Sequence, residues 1–185
     1  MVKLAVIGDV HSAFDQRDLD YFNTSDYTAV LCVGDLPGLR HGRAYDVASL
    51  MSHLEKPLFL IPGNHDATTL NQLLAEIGGL TPLMKRGGRS QPGRVERLVT
   101  ALGEGSVVGY SWHHLTDGLG LIAARPHAMG KTLSFQTYLA DAFGVRSIRE
   151  STELLIRTID ACPHRRLVFL AHNGPTGLGG KPTDI

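Results

Sequence analysis

Side chains that can bind a divalent metal follow four short apolar segments of the sequence. Each segment ends in a small residue, after which come the candidate ligands Asp9, His11, Asp35, Asn64, His65 and His172. Carboxylate, amide and imidazole donors of these kinds bind transition-metal ions. A single aspartate after a strand is usually a turn or helix-capping residue. Four such segment ends in one chain indicate a site for a pair of metal ions.

The four apolar segments predict buried strands. Continuous runs of Val, Ile and Leu are typical of strands covered on both faces, and they span residues 2–7, 29–33, 58–61 and 167–171. Helical patterns between them cover residues 16–22, 44–54 and 69–77. This alternation indicates βαβ units in a largely parallel sheet. Ligands bind at the carboxyl ends of such strands, which is where the candidate side chains stand.

The remaining sequence has weaker patterns. Residues 87–93 are rich in Gly, Arg, Ser, Gln and Pro, and we interpret them as a surface loop that precedes a short helix over residues 94–102. Residues 106–110 and 119–123 have the composition of strands. Ser147 and Glu150 form a capping-box pattern, which predicts a helix over residues 150–161. A chain of 185 residues without a visible linker is expected to form one domain.

Taken in chain order, the motifs resemble those of the calcineurin-like metallophosphoesterase superfamily. The family signature runs Asp-x-His, Gly-Asp, Gly-Asn-His-Asp/Glu and then a lone His. The corresponding motifs here are Asp9-Val10-His11, Gly34-Asp35, Gly63-Asn64-His65-Asp66 and Ala171-His172. The resemblance implies an α/β fold, in which a two-sheet sandwich is flanked by helices.

The resemblance also implies a role for each motif residue. The metal ligands would be Asp9 and His11 for one ion, Asp35 as the bridge, and Asn64 and His172 for the other ion. His65 would stabilise the transition state or protonate the leaving oxygen, and Asp66 would orient it. The cofactors would be two divalent ions, Mn, Fe or Zn, which activate a water that hydrolyses a phosphate ester. The charge of the bridging carboxylate would offset the repulsion between the two cations.

The sequence departs from the family signature after His172. A Gly-His-x-His motif should follow and complete both metal sites, but no histidine occurs after His172. We therefore expect residues 1–185 to be a single, incomplete domain that lacks its C-terminal strands and two ligands and binds metal weakly by itself. If the chain is fully active as it stands, another residue, such as His113, His114 or His127, must complete the site.

One arginine could contact a substrate phosphate. Arg125 follows the apparent strand over residues 119–123, and a guanidinium can bind phosphate through two hydrogen bonds. The alternative for Arg125 is a plain surface position. Four further arginines, which we interpret as a solvated face, are Arg86, Arg89, Arg94 and Arg97. His113 and His114 are adjacent, so on a strand they should face opposite sides.

The composition of the chain argues against several classes of function. The chain has 18 Lys and Arg against 18 Asp and Glu, so it lacks the basic footprint of a non-specific nucleic-acid binder. No apolar run approaches the roughly 20 residues of a membrane span. Two cysteines without a disulfide pattern, and the lack of a signal sequence, favour the cytoplasm. We expect a small phosphoester as substrate, and the alternative is a non-catalytic scaffold that keeps the fold for protein binding.

Overall fold

Strands and helices alternate through the first third of the chain, as the sequence predicts. The computed structural model describes residues 2–38, 42–103, 106–127 and 137–173. The described chain begins with β1 (Leu4–Ile7), α1 (Gln16–Thr24), β2 (Ala29–Cys32), α2 (Arg43–Met51), β3 (Leu58–Leu60) and α3 (Asn64–Ala67). It continues with α4 (Leu70–Ile77), α5 (Thr81–Gly88), α6 (Gln91–Leu102), β4 (Ser111–Thr116), β5 (Leu119–Ala123), α7 (Thr137–Phe143), α8 (Ile148–Asp160) and β6 (Arg166–Leu170).

The first sheet is parallel, with its strands in the order β1, β2, β3. The predicted strand over residues 106–110 contributes only a single bridge beside β3. There, Leu60 donates its N–H to the carbonyl of Ser106 (2.7 Å), and Val108 donates its N–H to the carbonyl of Leu60 (2.8 Å). The regular strand β4 begins after this bridge, where the chain leaves the first sheet for the second.

The second sheet has the order β4, β5, β6. β4 and β5 are antiparallel, whereas β5 and β6 are parallel, with Ala123 opposite Leu170. The strand predicted over residues 119–123 is confirmed as β5, and β6 lies one residue before the predicted range 167–171. Because β5 and β6 run in the same direction, the residues that follow them lie at the same edge of this sheet.

Three apolar clusters show how the layers pack. The first lies between the first sheet and the helices α1, α2 and α6, and it includes Val30 and Leu98. The second lies between the two sheets and includes Leu31 and Leu121. The third, around Leu139, joins α7 and α8 to the residues that enter β4. The predicted two-sheet sandwich flanked by helices is therefore confirmed.

The predicted cap of the long helix α8 is present. The Oγ atom of Ser147 accepts the N–H of Glu150 at 3.2 Å. Because Ser147 is the capping residue, the helix begins at Ile148 rather than at Glu150. Within the described ranges, no helix combines the length and the apolar character needed to cross a bilayer.

The predicted surface loop over residues 87–93 is mostly helical. α5 continues to Gly88 and α6 begins at Gln91, so only two residues separate these helices. Pro92 stands in the first turn of α6, where a missing N–H breaks no helical hydrogen bond. The glycines and the proline that indicated a loop therefore mark the end of one helix and the start of the next.

Candidate metal centre

The loops after β1 and β2 are joined through their backbones at the carboxyl edge of the first sheet. The N–H of His11 donates to the carbonyl of Asp35 (2.9 Å), and the N–H of Ser12 donates to the carbonyl of Leu36 (2.8 Å). The Oγ atom of Ser12 also accepts the N–H of Gly38 at 2.9 Å. The Asp-x-His and Gly-Asp motifs therefore form one connected unit.

Both loops turn through backbone conformations that residues other than glycine rarely adopt. The angle φ is positive at Asp9 (50°), His11 (45°), Ser12 (67°) and Asp35 (56°). Each such conformation costs about 1–3 kcal/mol and persists only where surrounding contacts enforce it. Here the hydrogen bonds between the two loops enforce the turns, which bring the carboxylates of Asp9 and Asp35 close to His11.

Asp9, His11 and Asp35 form a potential metal-binding group. Their ligand atoms all lie within 4.8 Å of one another, and Nε2 of His11 is 3.9 Å from Oδ1 of Asp9. The Nδ1–H of His11 donates to the carbonyl of Pro37 at 3.0 Å, which leaves the Nε2 lone pair on the side of the carboxylates. Asp9 and His11 are exposed while Asp35 is buried, so the group is open to solvent.

His172 and Asn64 form a second set of donors with Asp35. Nε2 of His172 lies 2.8 Å from Oδ1 of Asn64 and 3.7 Å from Oδ2 of Asp35. The Nδ1–H of His172 donates to the carbonyl of Val33 at 2.6 Å, so a neutral ring directs its Nε2 lone pair at these oxygens. Imidazole nitrogen, amide oxygen and carboxylate oxygen atoms that converge in this way have the placement of ligands to a shared metal ion.

The carboxylate of Asp35 belongs to both donor sets. Its Oδ1 atom accepts the N–H of His65 at 2.9 Å, and its Oδ2 atom faces His172. Its side chain is only 5% exposed, so these contacts hold it in one place. A buried carboxylate shared by two donor sets has the position that a bridging ligand requires.

Two motif glycines make this close approach possible. A Cβ atom on Gly63 would lie 2.3 Å from Oδ1 of Asp35 and 2.7 Å from Cε1 of His172. Gly34 has a φ of +85°, and a Cβ atom there would lie 2.2 Å from the backbone nitrogen of Gly63. Any side chain at either position would therefore push the donors apart.

A family model matches nearly the whole chain that carries this arrangement. It describes the calcineurin-like phosphoesterases, and the match covers residues 2–183. The chain belongs to the calcineurin-like phosphoesterase family. No curated protein matches it. The resemblance that the motifs indicate is thus confirmed, and so is the mixed α/β architecture.

The carboxylate of Asp66 binds backbone amides. Its Oδ2 atom accepts the N–H groups of Asp35 (2.8 Å) and Gly63 (2.7 Å), and its Oδ1 atom accepts the N–H of Leu36 (2.9 Å). Burial raises the pKa of Asp66 to about 6, and the amide hydrogen bonds oppose the rise. No hydrogen bond joins Asp66 to the His65 ring among the described residues, so the role of Asp66 in orienting His65 stays a prediction.

The ring of His65 lies beside the first donor set instead. It makes an edge-to-face contact with His11, with ring centroids 5.6 Å apart and planes at 90°. His65 is half-buried, so part of the ring faces the solvent from which a substrate would approach. This position is compatible with the role that the resemblance implies for His65.

His127 supports the Gly-Asn-His-Asp motif. The sequence indicated His127 only as a residue that could complete the metal site, and this supporting role was not predicted. His127 is fully buried, its backbone N–H donates to the carbonyl of Pro62 (2.7 Å), and its Nδ1–H donates to the carbonyl of Gly63 (2.9 Å). Burial lowers the pKa of His127 to about 3, so the ring is neutral. The signal available in the sequence was its place shortly after β5, at the edge where His172 follows β6.

Arg94 is a second supporting residue. The prediction that it lies on a solvated face is wrong. Arg94 is 7% exposed, and its guanidinium donates to the carbonyls of Ala67 and Gly87 and to Oγ of Ser90. Ala67 is the last residue of α3, the short helix that begins at Asn64. Helical spacing with the buried Leu98 could have indicated that this arginine lies on the inner face of α6.

The two adjacent histidines of β4 face opposite sides, as predicted. His113 lies 2.9 Å from Oγ of Ser111 and contacts the ring of Phe59. Nδ1 of His114 lies 3.2 Å from Nε2 of His164. Neither histidine belongs to the potential metal-binding group of Asp9, His11 and Asp35.

Arg125 lies just beyond β5 and is half-buried. Because Ala123 pairs with Leu170, Arg125 follows β5 by the same two residues by which His172 follows β6. Burial raises the pKa of Tyr110, and the nearby charge of Arg125 opposes the rise. No hydrogen bond or ion pair joins Arg125 to the metal donors in the described part of the chain, so its contact with substrate stays a prediction.

Proposed function

We propose that this chain hydrolyses a phosphate ester with the help of two divalent metal ions. The observation that carries the proposal is the shared position of Asp35. It lies within the group of Asp9 and His11, and its Oδ2 atom is 3.7 Å from Nε2 of His172, which in turn lies 2.8 Å from Oδ1 of Asn64. Two adjoining donor sets around one buried carboxylate are the arrangement that a metal pair needs.

The donor set fits the ions that the family implies. Asp9 and His11 would hold one ion, Asn64 and His172 would hold the other, and Asp35 would bridge them. Mixed carboxylate, amide and imidazole donors suit Mn, Fe and Zn. When bound, the ions would activate a water molecule and neutralise charge on the phosphoryl oxygens.

The protein's own residues would orient these donors and move a proton. The hydrogen bonds from His11 to Pro37 and from His172 to Val33 fix the tautomer and the direction of each ring. His65, beside His11, would donate a proton to the leaving oxygen. Arg125 is our candidate for a contact with the phosphate of a small phosphoester, because it stands level with His172 at the same edge of the second sheet.

Turnover of an aryl phosphate monoester and an aryl phosphate diester by the full chain tests the proposal. Hydrolysis should require added Mn²⁺, Fe²⁺ or Zn²⁺, should stop with a chelator, and should return when metal is restored. Metal content measured on the same samples should rise and fall with activity. If the chain binds two ions per molecule and hydrolyses neither ester, the proposed hydrolase is wrong and the non-catalytic scaffold is favoured.

A further inference from the structure

A polar pocket lies among the helices α4, α5 and α6. Its volume is about 460 Å³, which falls within the range of roughly 300–1,000 Å³ that is usual for small-molecule sites. Its lining includes the cationic side chains of Arg86 and Arg94 and the neutral polar side chains of Asn71 and Ser90. No described aspartate or glutamate lines it. The pocket therefore favours an anion as its occupant.

The guanidinium of Arg94 has a fixed position at this pocket, since Arg94 is only 7% exposed. Its N–H groups donate to the carbonyls of Ala67 and Gly87 and to Oγ of Ser90. A guanidinium has five N–H donors. Three of them make these bonds, so two have no hydrogen-bond partner among the described residues. The bonds orient the planar group and leave donors for an oxyanion.

Arg86 brings a second guanidinium to the pocket from α5. It is exposed, and the ion pairs between described residues include neither Arg86 nor Arg94. α5 packs closely on α4 at the next residue, because a Cβ atom on Gly87 would lie 2.7 Å from Oε1 of Gln72. This contact places Arg86 beside the residues of α4 that line the pocket. Two guanidinium groups can bind one phosphate through several charge-assisted hydrogen bonds.

We propose that this pocket binds the phosphate group of a small molecule through Arg86 and Arg94. The side-chain amide of Asn71 would donate a further hydrogen bond. The pocket lies close to the candidate metal centre, since Arg94 contacts the carbonyl of Ala67 at the end of α3. That helix begins at Asn64 and, with four residues, is about 6 Å long. The phosphate group therefore has two candidate sources, a substrate that carries a second phosphate group and inorganic phosphate from solution.

Binding of inorganic phosphate to the metal-free chain tests the pocket. A chelator keeps the candidate metal centre empty, so this result does not depend on the proposed hydrolase. Equilibrium dialysis should show one saturable equivalent of phosphate, and R86Q should weaken its binding by about 10–100-fold. The matched control is R89Q, which removes the same charge from an exposed residue outside the pocket lining. No saturable binding, or equal affinity in R86Q and R89Q, would overturn the proposal.

The variant R94K tests the buried guanidinium. It keeps the positive charge but loses the planar fork, so it should bind phosphate more weakly than the unmodified chain. Circular dichroism checks that the variant folds, because the change also removes hydrogen bonds to the carbonyls of Ala67 and Gly87. Unchanged phosphate affinity in folded R94K would refute the role of Arg94.

Steady-state kinetics with metal restored distinguish the two sources, and the substrate source rests on the proposed hydrolase. If the substrate supplies the phosphate group, R86Q should raise KM for an aryl bisphosphate and leave KM for the matching aryl monophosphate unchanged. An unchanged KM for both esters, together with weaker phosphate binding by R86Q, would assign the pocket to inorganic phosphate. A chain that hydrolyses neither ester but binds phosphate as described would contradict the hydrolase and support the pocket.

Discussion

Nε2 of His172 lies 2.8 Å from Oδ1 of Asn64, although 108 positions separate the two residues. Asn64 follows β3 in the first sheet, and His172 follows β6 in the second. The donors therefore meet where the edges of the two sheets come together, and their spacing depends on how the sheets pack.

Asp35→Asn should abolish most of the activity and remove one of the two ions. The asparagine Oδ1 can still accept the N–H of His65, so the fold should persist, but a neutral amide cannot offset the repulsion between two cations. Turnover and metal content should be measured together, with Asp141→Asn at an exposed position as the control. Two ions per chain and near-normal turnover in the Asp35 variant would rule out a bridging role.

His65→Ala should lower kcat by roughly 10²–10⁴, the usual contribution of a general acid or base. Metal content should stay constant, because the residue is assigned no ligand role and its backbone N–H to Asp35 survives the change. The control is His53→Ala, which is exposed on the surface. A loss of metal in proportion to activity would instead make His65 a ligand.

His127→Phe should weaken Mn²⁺ binding by about 10–100-fold, the range found when a residue that orients a metal site is lost. The ring and its edge-to-face contact with Tyr138 would be kept, but the donor to the Gly63 carbonyl would be gone. His127→Asn restores an N–H donor and tolerates the positive φ of this position, so it should bind Mn²⁺ more tightly than the Phe variant.

Mn²⁺ affinity by calorimetry and the melting temperature should be compared across the two His127 variants. A Phe variant with a lower melting temperature but normal Mn²⁺ affinity would show that His127 contributes only to the stability of the fold. If both variants bind Mn²⁺ equally, and more weakly than the unmodified chain, the loss of the hydrogen bond to Gly63 does not cause the weaker binding.

Asp66→Asn should destabilise the fold by about 1–3 kcal/mol, because its amide group would face a backbone N–H donor that the carboxylate now satisfies. For a chain of this size, each kcal/mol lowers the melting temperature by about 2–4 °C. Thermal unfolding followed by circular dichroism measures the change, with exposed Asp141→Asn as the control. An unchanged melting temperature would mean that these amide contacts contribute little.

The strand ends could be predicted because their signal is local. A run of Val, Ile and Leu followed by Gly34-Asp35 or Gly63-Asn64 specifies a buried strand, a tight turn and a donor within a few residues. The partners of Asp66 and Arg94 could not be predicted in the same way. Asp66 binds amides about 30 positions earlier in the chain, and no short motif encodes such a contact.

The burial of Arg94, which the sequence did not predict, has a physical explanation. A charged side chain is expected on the surface because burial removes its hydration. Arg94 is buried nonetheless, since carbonyls at the ends of α3 and α5 and the hydroxyl of Ser90 accept its N–H groups. Carbonyls near helix C-termini carry partial negative charge, which compensates the cation.

The bond between His172 and the carbonyl of Val33 spans 139 positions, which has a consequence for folding kinetics. Contacts between distant parts of a chain form late, because the entropy of closing a long loop opposes them. During synthesis, Asp9, His11, Asp35 and Asn64 emerge from the ribosome well before β6 does. Metal capture by the complete set of described donors would then coincide with the docking of β6, and a stopped-flow metal signal would report the final step of folding.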